Sequence, residues 1–531
     1  MKKHNASKVV LITILVFLLL TWIFPAAYYS GEYVDQGRVQ MGLFDLFSYP
    51  LTAFSYFGYI ALYLILVGGF YGVLYKIPAY RTFLDKIVDK SKGKEKFVLS
   101  LFVVLIAALV SICGAQIGVA LFIPFVVAIV LLMGYDKIVA GIVTVGSISA
   151  GLIGNTYATS NSSILTSALS LKYDYQIGVR FILLLVAVIL VIFNMLMYIK
   201  RNCAGAKMEK RTVKKVEEKV VEEKVEVHHN NRKAPAKKTT SKNTGKKSNK
   251  KSSKSRRSDN KAALKDEDII VVKDGVMEED LVPTLSGGNH KVWPFALTFC
   301  LLFILYVLAF LPWSAWGVKA FDNAVAGVTG FKLFGFPIFA KILGSVNAFG
   351  NWSLNDLFLP LALTVLLLTF IYKVKSKDIV DGFVEGAKKA LGPAVIAILL
   401  YTVLVLVTYH PFQLVMYKTI LGFTKGFNIA TTMVVAILCG FFNSDIAYSF
   451  QSVVPYFAGQ SAIKADNYGL AAIIFQSMYG LTMLVAPTSL VLMASLSYLD
   501  IPFKKWFKSV WKLLLELFVV LLIVFIILAL I

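Results

Sequence analysis

The chain has 531 residues, 57% of them hydrophobic and only 16% charged, with 54 Lys and Arg against 31 Asp and Glu for a net charge of +23. So apolar a composition excludes a soluble globular protein of this length and implies a polytopic membrane protein, because a bilayer-crossing helix needs about 20 mostly apolar residues. The cysteines Cys113, Cys203, Cys300 and Cys439 are scattered, so neither a disulfide framework nor a metal site is expected, and they read as packing residues.

Apolar stretches follow one another over residues 9–27, 58–75, 97–133 with room for two passes, 138–171, 178–199, 293–312, 353–373, 391–409, 427–459, 468–499 and 509–531. They predict an all-α bundle of about 9 to 11 spans. The first stretch runs into Trp22, Pro25, Tyr28 and Tyr29 rather than a small-residue cleavage site, so it reads as a retained span and not a signal peptide.

Residues 201–291 interrupt this pattern and divide the chain into a first membrane repeat, 1–200, and a second, 292–531. Between Arg232 and Arg257 the chain carries twelve Lys or Arg and no acid. Such a segment cannot bury a core and is expected to be a disordered cytoplasmic linker. Its basic block 232–257 suits the anionic inner leaflet, where each cation near the surface is worth about 1 kcal/mol. No folded module or aromatic platform accompanies the charge, so no nucleic-acid partner is expected.

Cations cluster in residues 1–8, 76–96, 200–265, 373–389 and 504–512. The positive-inside rule puts all five on the cytoplasmic side of the cell membrane, the N-terminus and the linker included. The segment 97–133 must then enter and leave on the cytoplasmic side, and 427–459 must do the same on the outer side. The segments 138–171 and 468–499 cross in opposite senses. A faint internal repeat agrees with this: Pro124 and Pro455 follow the two hairpin tips, and SNSSILTSALSL (160–171) can be laid on PTSLVLMASLSY (487–498), placing Ser162 on Ser489. Two inverted-topology repeats are predicted, each with a re-entrant helical hairpin and an interrupted transmembrane helix. Interrupted helices that meet at mid-membrane mark secondary transporters, since half-helix ends can face an ion or substrate there.

The candidate ligands lie at these interruptions. The uncharged run around Asn155, Thr156, Ser160, Asn161 and Ser162 offers oxygens to a hard cation and N–H groups to an anion. Thr488 and Ser489 follow Pro487, which frees carbonyls. Gln116 marks the first hairpin tip, Asn443, Ser444 and Asp445 the second, and Thr482 and Tyr479 are weaker candidates. Asp445 is the sharpest, because an acid at bilayer depth costs about 3 kcal/mol and serves transport or pairs with a cation. It could take up a proton or bind Na⁺, with Asn155, Ser160 and Thr488 as further Na⁺ ligands, or it could cap a half-helix. No intramembrane Lys or Arg is an obvious partner for it, although Arg180 near a span end could serve.

The stretches LILVGGFYGVL (64–74), GYD (134–136), Phe441-Phe442 with the polar tip up to VVP (453–455), and FQSMYGLTMLVAPTSLVLMASL (475–496) resemble the C4-dicarboxylate and basic amino-acid (arginine-ornithine type) carriers of the ion transporter superfamily. The resemblance covers most of both halves. It implies substrate and coupling ion held between two hairpin tips and two interrupted helices, in a core that moves against a static scaffold, often in a homodimer. The chain departs from that pattern at the first tip, where Cys113-Gly114-Ala115-Gln116-Ile117 replaces acidic residues, and at Tyr479, which stands where an acid is expected.

Secondary active transport of a small polar metabolite, an amino acid or C4-dicarboxylate, by alternating access is therefore the expected function, with Na⁺ or H⁺ as coupling ion. No Walker motif, CxxC or HExxH is present and no nucleophile is paired with a base, so no chemical conversion is expected. The competing readings are a channel lined by the same polar residues, and a scaffold or sensor that works through its basic linker.

Overall fold

The computed structural model describes residues 5–114, 116–202, 281–285, 290–443 and 445–530. The basic block 232–257 and Ser444 lie outside the described residues. The chain opens with α1 (Asn5–Ile23) and an antiparallel pair of short strands, β1 (Ala26–Tyr29) and β2 (Tyr33–Gly37). Among the described residues the remaining elements are helical, as the long apolar runs dictate.

The long helix α2 (Asp45–Tyr75) leads to α3 (Pro78–Lys90), which starts at Pro78, a residue whose missing N–H costs nothing in a first turn. Next come α4 (Glu95–Cys113), a tight tip, a 3₁₀ turn at Gly118–Leu121 and α5 (Ile123–Leu132). Asp136 then caps a helix by accepting the Val139 N–H. That helix runs through α6 (Lys137–Gly141), a π turn at Ile142–Gly146 and α7 (Ser147–Ile153) before it breaks. The chain resumes as α8 (Thr159–Ala168) and then α9 (Ile177–Asn202).

Beyond the linker, α10 (Trp293–Phe310) is followed by α11 (Ala320–Gly330), α12 (Ile338–Leu343) and α13 (Phe358–Ile371). The longest helix, α14 (Ser376–Tyr409), precedes α15 (Gln413–Leu421). The order seen in the first half then recurs. After α16 (Ile429–Phe442) come a polar tip, the short α17 (Ile446–Gln451) and α18 (Val454–Ala458), α19 (Tyr468–Thr482), a break, α20 (Leu490–Leu499) and α21 (Phe503–Leu530).

Seven helices among the described residues are long and apolar enough to cross a membrane: α1, α2, α4, α9, α10, α14 and α21. The apolar segments 138–171, 427–459 and 468–499 supply shorter helices instead, and 97–133 supplies α4 followed by the shorter α5, because each is interrupted by a Gly- or polar-rich turn. At the first tip Gly114 has φ of 73°, and a Cβ there would run into Ser160 Oγ, so only glycine lets the tip close against the broken helix.

One packing feature organises the bundle. α2 and α14 lie antiparallel along their lengths, from Tyr49 beside Tyr409, through Phe57 stacked on Tyr401 at 4.3 Å, to an ion pair of 2.7 Å between Lys76 and Glu385. Their backbones touch through Gly68 and Gly72 on one helix and Gly382, Gly386 and Ala390 on the other. A Cβ at Gly72 would meet the Gly382 carbonyl, and one at Gly386 the Gly68 carbonyl. Small residues at helix contacts supply this close approach where lipid offers no hydrophobic drive. The charged run 376–389 extends α14 well before its apolar part, since Lys, Glu and Ala are good helix formers.

Candidate functional site

The first break releases five successive carbonyls, Leu152 through Thr156, and a side chain meets each of them. Gln476 Nε2 donates to Leu152 at 3.0 Å and Ser477 Oγ to Ile153 at 3.1 Å, both from α19. Ser111 Oγ, at the end of α4, donates to Gly154 at 2.6 Å. Arg180 Nε donates to Asn155 and Arg180 Nη2 to Thr156. Buried backbone groups must find partners, and here the broken helix, the tip of α4, α19 and α9 are joined by that requirement.

The polar side chains of this run are also committed. Thr156 Oγ1 lies 2.9 Å from Ser111 Oγ, Ser162 Oγ donates to the Ala158 carbonyl, and Asn155 donates to the same carbonyl while accepting from Asn161 Nδ2 at 3.3 Å. Ser160 is exposed. Arg180 is not the partner of Asp445. Its remaining bonds go to the Tyr173 and Tyr175 carbonyls, and its guanidinium lies 4.4 Å above the Tyr175 ring.

The second break is closed by neutral donors. Ser489 caps α20, accepting the Leu492 N–H and donating to the Met483 carbonyl at 3.0 Å. Trp506 Nε1 donates to the Leu484 carbonyl at 3.0 Å. Thr488 Oγ1 donates to the Phe441 carbonyl at 2.8 Å, so this break is tied to the end of α16 much as Thr156 is tied to the end of α4. Thr482 turns to the Tyr479 carbonyl and packs on Gly440. The helix starts at Thr159 and Leu490 set the two halves in a register four residues away from the pairing of Ser162 with Ser489: Ser489 is a cap, whereas Ser162 lies inside α8.

At the second tip Asn443 and Asp445 build a cap. Asp445 Oδ1 accepts the N–H groups of Ala447 and Tyr448 at 3.1 and 3.2 Å, while Asn443 Oδ1 accepts the Asp445 N–H at 2.9 Å. The other carboxylate oxygen, Oδ2, lies 3.5 Å from the Tyr401 hydroxyl. Both residues border a small cavity lined by Gln116 and Ile117 of the first tip, Asp445 of the second, Met483, Leu490 and Val491 of the second break, and Tyr401 of α14. About 20 Å³ of it is open to a water-sized sphere, room for one water molecule or a bare monovalent cation. Asp445 is its one carboxylate, and the Gln116 carbonyl oxygen is buried without a partner.

Gln116 and Asp445 are thus brought together with the second break, while Asn155, Thr156, Asn161 and Ser162 brace the first tip from behind. Sequence reading missed Ser111, Tyr401 and Ser477, which sit in continuous apolar helices, and took Gln476 only as part of the resembling stretch 475–496 and not as a site residue. A larger cavity, about 150 Å³, lies between α14, α15 and both arms of the second hairpin, with Gln413, Tyr417 and Asn443 in its wall.

Residues 5–239 and 291–530 match the family model DcuC, the C4-dicarboxylate anaerobic carrier. An uncharacterized protein of Haemophilus influenzae is 28% identical over 146 residues, which span 27% of this chain and 28% of that protein's length. Among solved structures, the Alcanivorax borkumensis YdaH transporter is 12% identical with a TM-score of 0.38, over 98% of this chain and 97% of that one.

Proposed function

The chain belongs to the DcuC family of C4-dicarboxylate anaerobic carriers, and from that premise we propose that this multi-pass membrane transporter moves a C4-dicarboxylate by ion-coupled alternating access. The observation that carries the reading is the small cavity bordered by both hairpin tips and the second break, with the Asp445 carboxylate in its wall. A carboxylate, a buried Gln116 carbonyl oxygen and a tyrosine hydroxyl form an oxygen-rich environment suited to a hard cation such as Na⁺, or to a proton on Asp445.

The cavity is several times too small for a four-carbon dicarboxylate. Substrate therefore enters when the tips part, and the coupling ion draws them together. The recurring order of tip, broken helix and long helix in the two halves supports an inverted pair of repeats, whose rocking about a fixed site is the usual route of alternating access. The second hairpin is backed by the cavity of about 150 Å³.

The test is uptake of labelled succinate into proteoliposomes under imposed Na⁺ or proton gradients, with arginine as competitor. Saturable uptake and counterflow of dicarboxylates, unaffected by arginine, are expected. Arginine-specific uptake would replace the substrate assignment, and unitary conductance steps would replace the carrier by a channel.

A further inference from the structure

We propose that the Arg180 guanidinium is a resident cation of the first interrupted helix, seated where an exchangeable coupling cation would otherwise bind. The inference rests on the transporter reading above, and its evidence is the difference between the two breaks. In interrupted helices of carriers, the carbonyl end of a half-helix is where a coupling cation is held, because unpaired carbonyls and the negative end of the helix dipole converge there. The stretch just beyond the end of α7 is such a place, and Arg180 takes its Asn155 and Thr156 carbonyls.

Arg180 is 2% exposed, so its charge is removed from water. Among the described residues it makes no ion pair with a carboxylate, although Asp174 is near enough to feel its charge. Its bonds run instead to four carbonyls: Asn155 and Thr156 at the break, and Tyr173 and Tyr175 in the turn before α9. A lone buried cation is tolerated only where oxygen dipoles replace its hydration, and four carbonyls with an aromatic face do so here. This is the ligand set of a dehydrated metal cation, supplied to a side chain.

The second half uses the same position differently. Arg180 is the fourth residue of α9 and Trp506 the fourth of α21, and each donates to a carbonyl of the break before it. The indole closes the second break without a charge. A mobile cation is thereby confined to the second break and Asp445, and the first tip is held shut by a charge that never leaves.

The test compares Arg180→Lys, Arg180→Gln and Arg180→Ala. Loss of one partner of a buried charged network is expected to lower uptake by Arg180→Ala about a hundredfold, and millimolar ethylguanidinium is expected to restore much of it while urea does not. Arg180→Lys is expected to accumulate in the membrane and transport, whereas Arg180→Gln, of similar reach and no charge, does not. Thermal unfolding of purified Arg180→Ala in substrate-free buffer gives a readout independent of the transported solute: ethylguanidinium raises its Tm, urea leaves it unchanged, and the wild type responds to neither. The proposal is overturned if Arg180→Gln transports as well as Arg180→Lys, or if urea stabilises Arg180→Ala as much as ethylguanidinium does. A failure to find dicarboxylate uptake in the wild type would count against the assigned substrate while leaving the unfolding comparison valid.

Discussion

Asp445 does two things that substitution can separate. Its Oδ1 accepts two backbone N–H groups at the start of α17, and the residue lines the cavity between the tips. Asn keeps an acceptor for the cap and removes the charge, and Asn caps helices about as well as Asp, so Asp445→Asn is expected to leave Tm almost unchanged. Ala removes both functions and is expected to cost about 1 kcal/mol of stability from the cap alone. For the ion, two unit charges about 4 Å apart at an effective dielectric near 20 attract by about 4 kcal/mol, or about three decades of affinity. The asparagine oxygen recovers part of this, so the half-saturating coupling-cation concentration for uptake is expected to rise by about one to three decades. If the proton is the coupling ion, the variant instead loses the pH dependence of uptake. The assay is initial-rate succinate uptake across a cation titration and a pH series, alongside thermal unfolding of the same preparations. An Asp445→Asn protein with wild-type Tm and a cation and pH response unchanged within about threefold would refute the coupling role and leave Asp445 as a cap alone.

Ser111→Ala removes the donor to the Gly154 carbonyl, so a buried acceptor loses its partner at about 1–3 kcal/mol, read as a fall in Tm that substrate does not correct. Gly386→Ala places a Cβ against the Gly68 carbonyl and the Gly72 backbone, where no rotamer can yield, and is expected to destabilise by about 1–3 kcal/mol or to block accumulation in the membrane. An unchanged unfolding temperature would show that α2 and α14 can part without loss. Tyr401→Phe removes a contact of 3.5 Å, at the outer limit of a hydrogen bond, so cation affinity in uptake is expected to change by less than about threefold.

The interruptions were legible because they are written locally. A run such as Gly154-Asn155-Thr156 inside apolar sequence, or Pro487-Thr488-Ser489, cannot continue a helix without a reason, and both fall where helices break. The tip at Asn443 and Asp445 was legible for the same reason. The partners were not, since they come from afar: Gln476 and Ser477 reach Leu152 and Ile153 across 324 positions. The breaks also set the number of long helices: 427–459 divides its apolar length among a tip and short helices, whereas 97–133 keeps one crossing helix, α4, before its tip and the short α5. The place of Arg180 was not legible for a different reason: Asp445 and the carbonyls of a broken helix are in competition for a guanidinium, and here the carbonyls hold it.

That competition bears on coupling. A broken helix presents the same unpaired carbonyls whatever closes it, and a mobile metal ion, a proton-carrying acid or a fixed side chain can each do so. A mobile ion makes closure conditional on its own concentration, which is what coupling requires. A fixed guanidinium makes closure unconditional. With Arg180 at the first break and neutral Ser489 and Trp506 at the second, the proposed coupling ion would meet its carboxylate beside the second break, at Asp445. The two halves then share an order of elements while their roles diverge. On the proposed mechanism the first holds a wall in place and the second responds to the ion.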